Sequence, residues 1–180
     1  MSQSELLACF DSDGNGIEPH VRAEVHAQPL QYWHATNGIW VVNREGQILI
    51  SQRAPTCERN AGKWQSSFGG HVLAGLNWRS SAVVELEEEA GLKATANELF
   101  LISKSKNDAD HHFVERFMYL YDPCQTPHSV DGEVSAFRWI AMADCLQEQI
   151  TYPDQYCNLL YPENVDVMQK RLAEILTPKQ

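Results

Sequence analysis

Residues 77–92 read Asn77-Trp78-Arg79-Ser80-Ser81-Ala82-Val83-Val84-Glu85-Leu86-Glu87-Glu88-Glu89-Ala90-Gly91-Leu92, and their reading decides the fold. Asn77 suits a helix N-cap, because its side-chain oxygen can accept a free backbone N–H of the first turn. Gly91 stands where a left-handed residue ends a helix. Between them Ala82, Val83, Leu86 and Ala90 recur at helical spacing. The stretch therefore predicts a helix over residues 77–90. At about 100° per residue, Glu85, Glu88 and Glu89 share one arc of that helix while Glu87 points elsewhere. Like charges at i,i+3 and i,i+4 cost roughly 0.2–0.5 kcal/mol per pair. On spacing alone, a solvated acidic face is the commoner setting for such a run. The other setting is a divalent cation between the carboxylates, since hard cations take oxygen ligands and often phosphate oxygens as well.

Outward from the helix, residues 67–72 read as a strand, with Gly69-Gly70 allowing a close backbone approach. Residues 54–66 contain Pro55, Asn60 and Gly62 and read as loop. Residues 38–43 and 47–53, rich in Ile and Val and separated by Arg44-Glu45-Gly46, read as a β-hairpin. On the C-terminal side, residues 113–121 and 134–140 are strand candidates, and Val165, Met168, Leu172 and Ile175 mark a closing helix. Asp11-Ser12-Asp13-Gly14-Asn15-Gly16 begins like a calcium loop, but the twelfth position is Arg22 instead of a bidentate Glu. Asn-Gly favours a tight turn there. Strands, helix, strands, helices in that order give an α+β class or mixed α/β sandwich. With no repeat or linker, a single domain over residues 1–180 is expected, with an N-terminal strand/hairpin segment 1–33 and a C-terminal helix 164–176 as extensions.

The 180 residues are 43% hydrophobic and 21% charged, which excludes disorder for the bulk of the chain. Lys and Arg total 14 against 24 Asp and Glu, a net charge of -10. This balance argues against a nucleic-acid duplex or an anionic membrane as partner. No apolar run reaches the length of a membrane-spanning helix. The start, Met1-Ser2-Gln3-Ser4-Glu5, lacks the basic region of a signal peptide. Cys9, Cys57, Cys124, Cys145 and Cys157 are odd in number and show no C-x-x-C spacing, which fits reduced thiols in a cytoplasmic protein and argues against a paired-cysteine zinc site.

Residues 70–92 resemble the Nudix box, G-x5-E-x7-R-E-U-x-E-E-x-G-U with U a bulky aliphatic. Gly70, Glu85, Leu86, Glu88, Glu89, Gly91 and Leu92 match it. Leu76 and Val84 stand where the box has Glu and Arg. Those two can pair in the family, and an apolar contact can replace an ion pair at little cost. The stretches Gln52-Arg53, Gly62-Lys63-Trp64, Gly69-Gly70-His71-Val72 and 133–139 are also similar to the family. The resemblance implies a Nudix-like α/β/α sandwich with a mixed β-sheet, and a Mg²⁺- (or Mn²⁺-) dependent, pyrophosphatase-type hydrolase. It implies that Glu85, Glu88 and Glu89 hold the metal and carry the catalysis, with Gly70 and Glu115 completing the metal set and Glu133 as the other candidate carboxylate. Arg53, Lys63, Trp64 and Phe68 become the candidates for substrate contact, and Arg59 and Arg116 weaker ones. The implied partner is a small-molecule diphosphate, and the family's habit of pairing implies a homodimer.

Within the family, Arg22-x-x-Val25-His26, His34, Arg53, Trp64 and Gly70-His71 are similar to the isopentenyl-diphosphate isomerase branch. His26, His34 and His71 resemble its metal ligands, although a hydrogen-bonded structural histidine is the commoner role. The branch's catalytic Cys falls at Gly69, and a Lys of the branch falls at Cys57. Hydrolysis of a phosphoanhydride is therefore the expected chemistry. Isomerisation of a prenyl diphosphate and a non-catalytic binding module are the alternatives.

Overall fold

In this computed structural model residues 4–177 are described; Met1-Ser2-Gln3 of the chain's start and residues 178–180 of the expected domain lie outside the described residues. The elements in chain order are β1 (Leu6–Phe10), β2 (Gly16–Val21), α1 (Arg22–Val25), β3 (Trp33–Val42), β4 (Gln47–Arg53), β5 (Trp64–Gln65), α2 (Trp78–Ala90), β6 (Leu99–Asn107), β7 (His112–Leu120), β8 (Val134–Ala141), α3 (Met142–Thr151), β9 (Tyr156–Asn158) and α4 (Pro162–Leu176).

β3 organises the sheet. It runs parallel to β7 in unbroken register from His34–His112 to Val42–Leu120, and it meets β1 and β4 antiparallel at its two ends. β6 extends the sheet beyond β7, and β8 pairs with β4. Alternate side chains of a strand leave opposite faces, and both faces of β3 are apolar. Ile39 and Val41 join Leu49, Phe117 and Tyr119 beneath Ala82, Leu86 and Ala90 of α2. Trp40 and Val42 join Ile48, Ile50 and Met118 against Met142 and Cys145 of α3 and Val165, Met168 and Leu172 of α4. Helices thus cover both faces of a mixed sheet, which is the α/β/α sandwich expected.

The ends of α2 form for the reasons the sequence suggests. The Asn77 side chain accepts from the Ser80 N–H at 3.0 Å, and Gly91 adopts φ 64° at the C-terminal end. Residues 67–72 differ from the expected strand. They run beside β3 through two isolated bridges, Ile39–Phe68 and Thr36–His71, and single backbone bonds such as Asn37 N–H to the Gly70 carbonyl, with Gly69 at φ 141° interrupting a continuous ladder. The Asp11–Gly16 segment is a turn between β1 and β2, in which the Asp11 carboxylate accepts the N–H groups of Asp13 and Asn15 at 2.9 Å each. Those bonds leave the loop little resemblance to a calcium cradle. Leu76 and Val84 are 37% and 38% exposed, so neither fills a core position in place of an ion pair.

Candidate active site

The acidic run does not lie on a solvated face. Glu85 and Glu89 sit on the same side of α2 as Ser81, Ala82, Leu86 and Ala90, and they are 7% and 9% exposed. Glu87 and Glu88 are exposed. The helix can bury two carboxyls because the chain entering it, Phe68-Gly69-Gly70-His71, passes alongside. The Gly69 N–H donates to Glu89 Oε2 at 3.0 Å. Glu85 Oε2 is buried with no hydrogen-bond partner. Burial, then the charge of Glu88, pushes the Glu85 carboxyl up from 4.5 to about 7. Burial, then the charge of Glu85, pushes Glu89 up to about 8. Two buried carboxyls one turn apart, one with an unpartnered oxygen, are what a bound divalent cation would relieve. The donor set is all oxygen, which fits Mg²⁺ or Mn²⁺.

Glu89 opens onto a cavity of about 830 Å³. Arg22, Arg53, Arg59, Gln65, Gly69, His71 and Glu133 are among the residues that line it. Arg53 is held three ways. Its Nε donates to the Arg59 carbonyl at 2.9 Å, Nη1 to Gln65 Oε1 at 3.2 Å and Nη2 to Glu133 Oε2 at 3.4 Å. A guanidinium fixed by three acceptors is a preorganised contact for a phosphate oxygen.

Beside the carboxyls lies a group of imidazoles. His26 Nε2 is 2.9 Å from His71 Nε2. The His34 ring stacks on His71 with centroids 5.1 Å apart. The three offer ligand atoms within 4.8 Å of one another, and His112 lies 5.6 Å from His34 between ring centroids. Burial, aided by the neighbouring cationic groups, holds His34 down at about 4 and His71 at about 3. His34 and His71 are therefore neutral at ordinary pH, with lone pairs free for a borderline metal, and burial lowers His26 in the same direction. The Nδ1 atoms of His34 and His71 are buried and unpartnered.

The other expected contacts divide. Arg53 and Arg59 line the cavity, whereas Lys63 and Trp64 do not. Trp64 packs against the α3/α4 core, with the Arg138 guanidinium 4.6 Å from its ring centre. Phe68 is 1% exposed and packs beneath α2, so no face is open for stacking on a ligand. The Gly70 carbonyl accepts the Asn37 N–H at 2.9 Å as part of the backbone pairing. Glu115 pairs with Lys104 and lines a separate cavity with Trp78, Phe113 and Lys106, so it is not beside Glu89. Of the two extra carboxylates considered, Glu133 is the one in the main cavity. Arg116 bonds Ser105 on the neighbouring strand instead of the site. Arg22, noted in the sequence only for its likeness to the isomerase branch, lines the cavity, and so does Gln65, which carries no spacing signal and is joined to the site only by the fold.

The NUDIX domain family matches residues 33–157. Isopentenyl-diphosphate Delta-isomerase of Serratia proteamaculans is 27% identical over 159 residues, covering 84% of this chain and 85% of the relative. An uncharacterized Nudix hydrolase of Clostridium acetobutylicum is 32% identical over 126 residues, covering 65% of this chain and 60% of that protein. Among solved structures, a protein of Deinococcus radiodurans superposes with a TM-score of 0.68 at 15% identity, covering 96% of this chain and all of that one, a likeness of fold.

Proposed function

Because the chain belongs to the Nudix family, we propose that it is a metal-dependent hydrolase of a phosphoanhydride bond in a small diphosphate compound, a nucleoside diphosphate linked to another group being the leading form. The observation that carries the reading is the buried pair Glu85 and Glu89: Glu85 has an unpartnered oxygen, and Glu89 lines a cavity that also presents Arg53. Glu85, Glu89 and the exposed Glu88 would hold Mg²⁺ or Mn²⁺, which supplies charge stabilisation at phosphorus and an acidified water. Arg53 orients a phosphate oxygen. The Gly69 N–H keeps Glu89 aimed at the cavity. A carboxylate freed of its proton can accept one from the attacking water. Glu133, tied to Arg53, lines the same cavity.

The isomerase reading meets an obstacle at Gly69. A Cβ built there collides with the Asn37 carbonyl oxygen and lies 2.9 Å from Asn37 Oδ1, and the backbone is at φ 141°. A thiol-bearing residue does not fit this position without moving β3. The imidazole group supports a second metal role for His26, His34 and His71, distinct from the carboxylate pair.

The test is phosphate release or cleavage across a panel of diphosphate compounds with Mg²⁺ and then Mn²⁺. The panel holds nucleoside diphosphate sugars, dinucleotides, nucleoside triphosphates and prenyl diphosphates. A chain carrying Glu88→Gln and Glu89→Gln runs beside it. Metal-dependent turnover lost in that chain supports the proposal. Conversion of isopentenyl diphosphate to its isomer, or metal binding with no turnover of any compound, replaces it with one of the alternatives.

A further inference from the structure

Two buried polar side chains beneath α2 take no part in the chemistry described so far. Asn37 is 6% exposed and stands on the face of β3 that also carries Ile39 and Val41. Ser81 is 2% exposed, and the other buried residues of α2 are Ala82, Leu86 and Ala90 and the two box carboxyls. An amide and a hydroxyl cost free energy to bury unless they are bonded. A pair of apolar side chains would fill the same space without that cost. The polar pair therefore directs attention to what its bonds hold.

They hold the chain entering α2. Asn37 Nδ2 donates to Ser81 Oγ at 3.3 Å, and Ser81 Oγ donates to the His71 carbonyl at 3.1 Å. The Asn37 N–H donates to the Gly70 carbonyl at 2.9 Å. The Gly69 Cα lies so close to the Asn37 carbonyl oxygen and Oδ1 that only a hydrogen fits between them. Asn37 Oδ1 has no hydrogen-bond donor and faces that C–H, a weak contact. Gly69, Gly70 and His71 are thus fixed one after another: by close packing, by a backbone bond and by a hydroxyl. The Gly69 N–H, in turn, is the group that donates to Glu89 Oε2 at 3.0 Å.

Ser81, Glu85 and Glu89 are spaced four residues apart, so they follow one another along one side of α2. The first grips the passing segment at His71 and the last at Gly69. Glu85 comes between them in the row, and its Oε2 is the oxygen left without a partner.

We propose that Asn37 and Ser81 are positioning residues, a clamp that sets the path of Gly69–His71 and, through the Gly69 N–H, the direction of the Glu89 carboxyl. The effect on rate rests on the hydrolase reading, whereas the effect on the segment does not. Neither residue meets a substrate in this role. Without the clamp the Gly69 N–H drifts and the Glu89 carboxyl loses its fixed partner. A misplacement of about 1 Å at a catalytic group can cost up to about a hundredfold in rate.

The Phe-Gly pair occurs once in the chain, at Phe68-Gly69. Labelling Phe with ¹³C at the carbonyl and Gly with ¹⁵N therefore singles out the Gly69 amide in an NMR spectrum. The parent, Ser81→Ala, Asn37→Ala and the double variant are compared in EDTA with no ligand. Asn77→Ala serves as a control, since it destabilises the same helix without touching the clamp. In both single variants the Gly69 amide proton is expected to move upfield and to exchange with solvent at least about fivefold faster, and in Asn77→Ala to stay in place. Steady-state kinetics with Mg²⁺ then use whichever compound of the diphosphate panel is turned over fastest. Ser81→Ala should lower kcat about tenfold with KM within about twofold of the parent. The double variant should fall little below Ser81→Ala, because the two residues act through one chain of bonds. If no compound is turned over, the hydrolase reading falls, and the amide signal alone decides whether the clamp holds the segment. An unmoved Gly69 amide in Ser81→Ala overturns the inference. So does a moved amide with kcat unchanged, or a loss in the double variant equal to the product of the two single losses.

Discussion

Replacing Glu89 by Gln should stabilise the metal-free protein, and by an amount that grows with pH. The glutamine is the neutral isostere of a protonated glutamate, and its carbonyl oxygen can keep the bond from the Gly69 N–H at the same place. Below pH 4.5 the glutamate is protonated in both the folded and the unfolded chain, so the variant and the parent do not differ on this account. As pH rises, the unfolded chain ionises first. The folded chain, whose carboxyl is pushed up to about 8, must retain its proton or bear a buried charge, and it loses stability until pH passes that value. Integrating this difference between pH 5.5 and 8.5 gives about 3 kcal/mol in favour of the variant. For a chain of this length that corresponds to a melting-temperature difference widening by about 6–12 °C. Histidines and cysteines titrate in the same range, but they are common to both chains and cancel in the difference. The assay is thermal unfolding of both proteins in EDTA across that pH range. Repeating it with millimolar Mg²⁺ should close or reverse the gap, because a cation that binds the ionised carboxylates of the folded parent stabilises it by mass action. Parallel melting curves in EDTA would refute the claim that Glu89 is buried and uncompensated.

Gly69→Ala should cost at least about 2 kcal/mol and most of the activity, since the methyl group meets Asn37 and the backbone holds φ 141°; unfolding in urea and a turnover assay check both. Asn77→Ala removes the cap on α2 and should lower stability by about 1 kcal/mol while leaving KM unchanged, read from the urea midpoint and steady-state kinetics. Arg53→Met releases Gln65 and Glu133 and removes a phosphate donor; KM for a diphosphate substrate should rise about tenfold or more, with a smaller effect on unfolding.

The box helix, its caps, β7, β8 and α4 were legible because each has a strong local signal: a cap residue, a period or a β-branched run. The burial of Glu85 and Glu89 was not. Their positions coincide with the apolar stripe of Ala82, Leu86 and Ala90, and periodicity weighs a glutamate as polar wherever it falls. What buries them is the passing segment at Gly69-Gly70, a tertiary contact. β6 escaped notice because its second half, Ser103-Lys104-Ser105-Lys106, is a polar strand at the outside of β7. The expected strand at 67–72 failed for the opposite reason: its composition suits a ladder, and one glycine conformation forbids it. The imidazole group was legible only through the likeness of His26, His34 and His71 to the isomerase branch, since residues this far apart in the chain carry no local period; the structure brings the three together. Phe68 and Trp64 illustrate the limit of reasoning from nearness in sequence to Gly69-Gly70. A buried ring beside a binding turn is as well used for the core as for a ligand.

The parallel pairing of β3 with β7 has a bearing on how the protein is made. Every box carboxylate lies in the stretch of chain between those two strands. A nascent chain that has emerged only as far as Leu92 already contains Glu85, Glu88 and Glu89, yet lacks Phe117 and Tyr119, part of the floor on which α2 rests. Closing a long parallel pair is slow relative to forming a helix or a hairpin. Until the later strand docks, α2 lacks Phe117 and Tyr119 beneath it, so the burial of Glu85 and Glu89 is completed only by a long-range, late-forming contact.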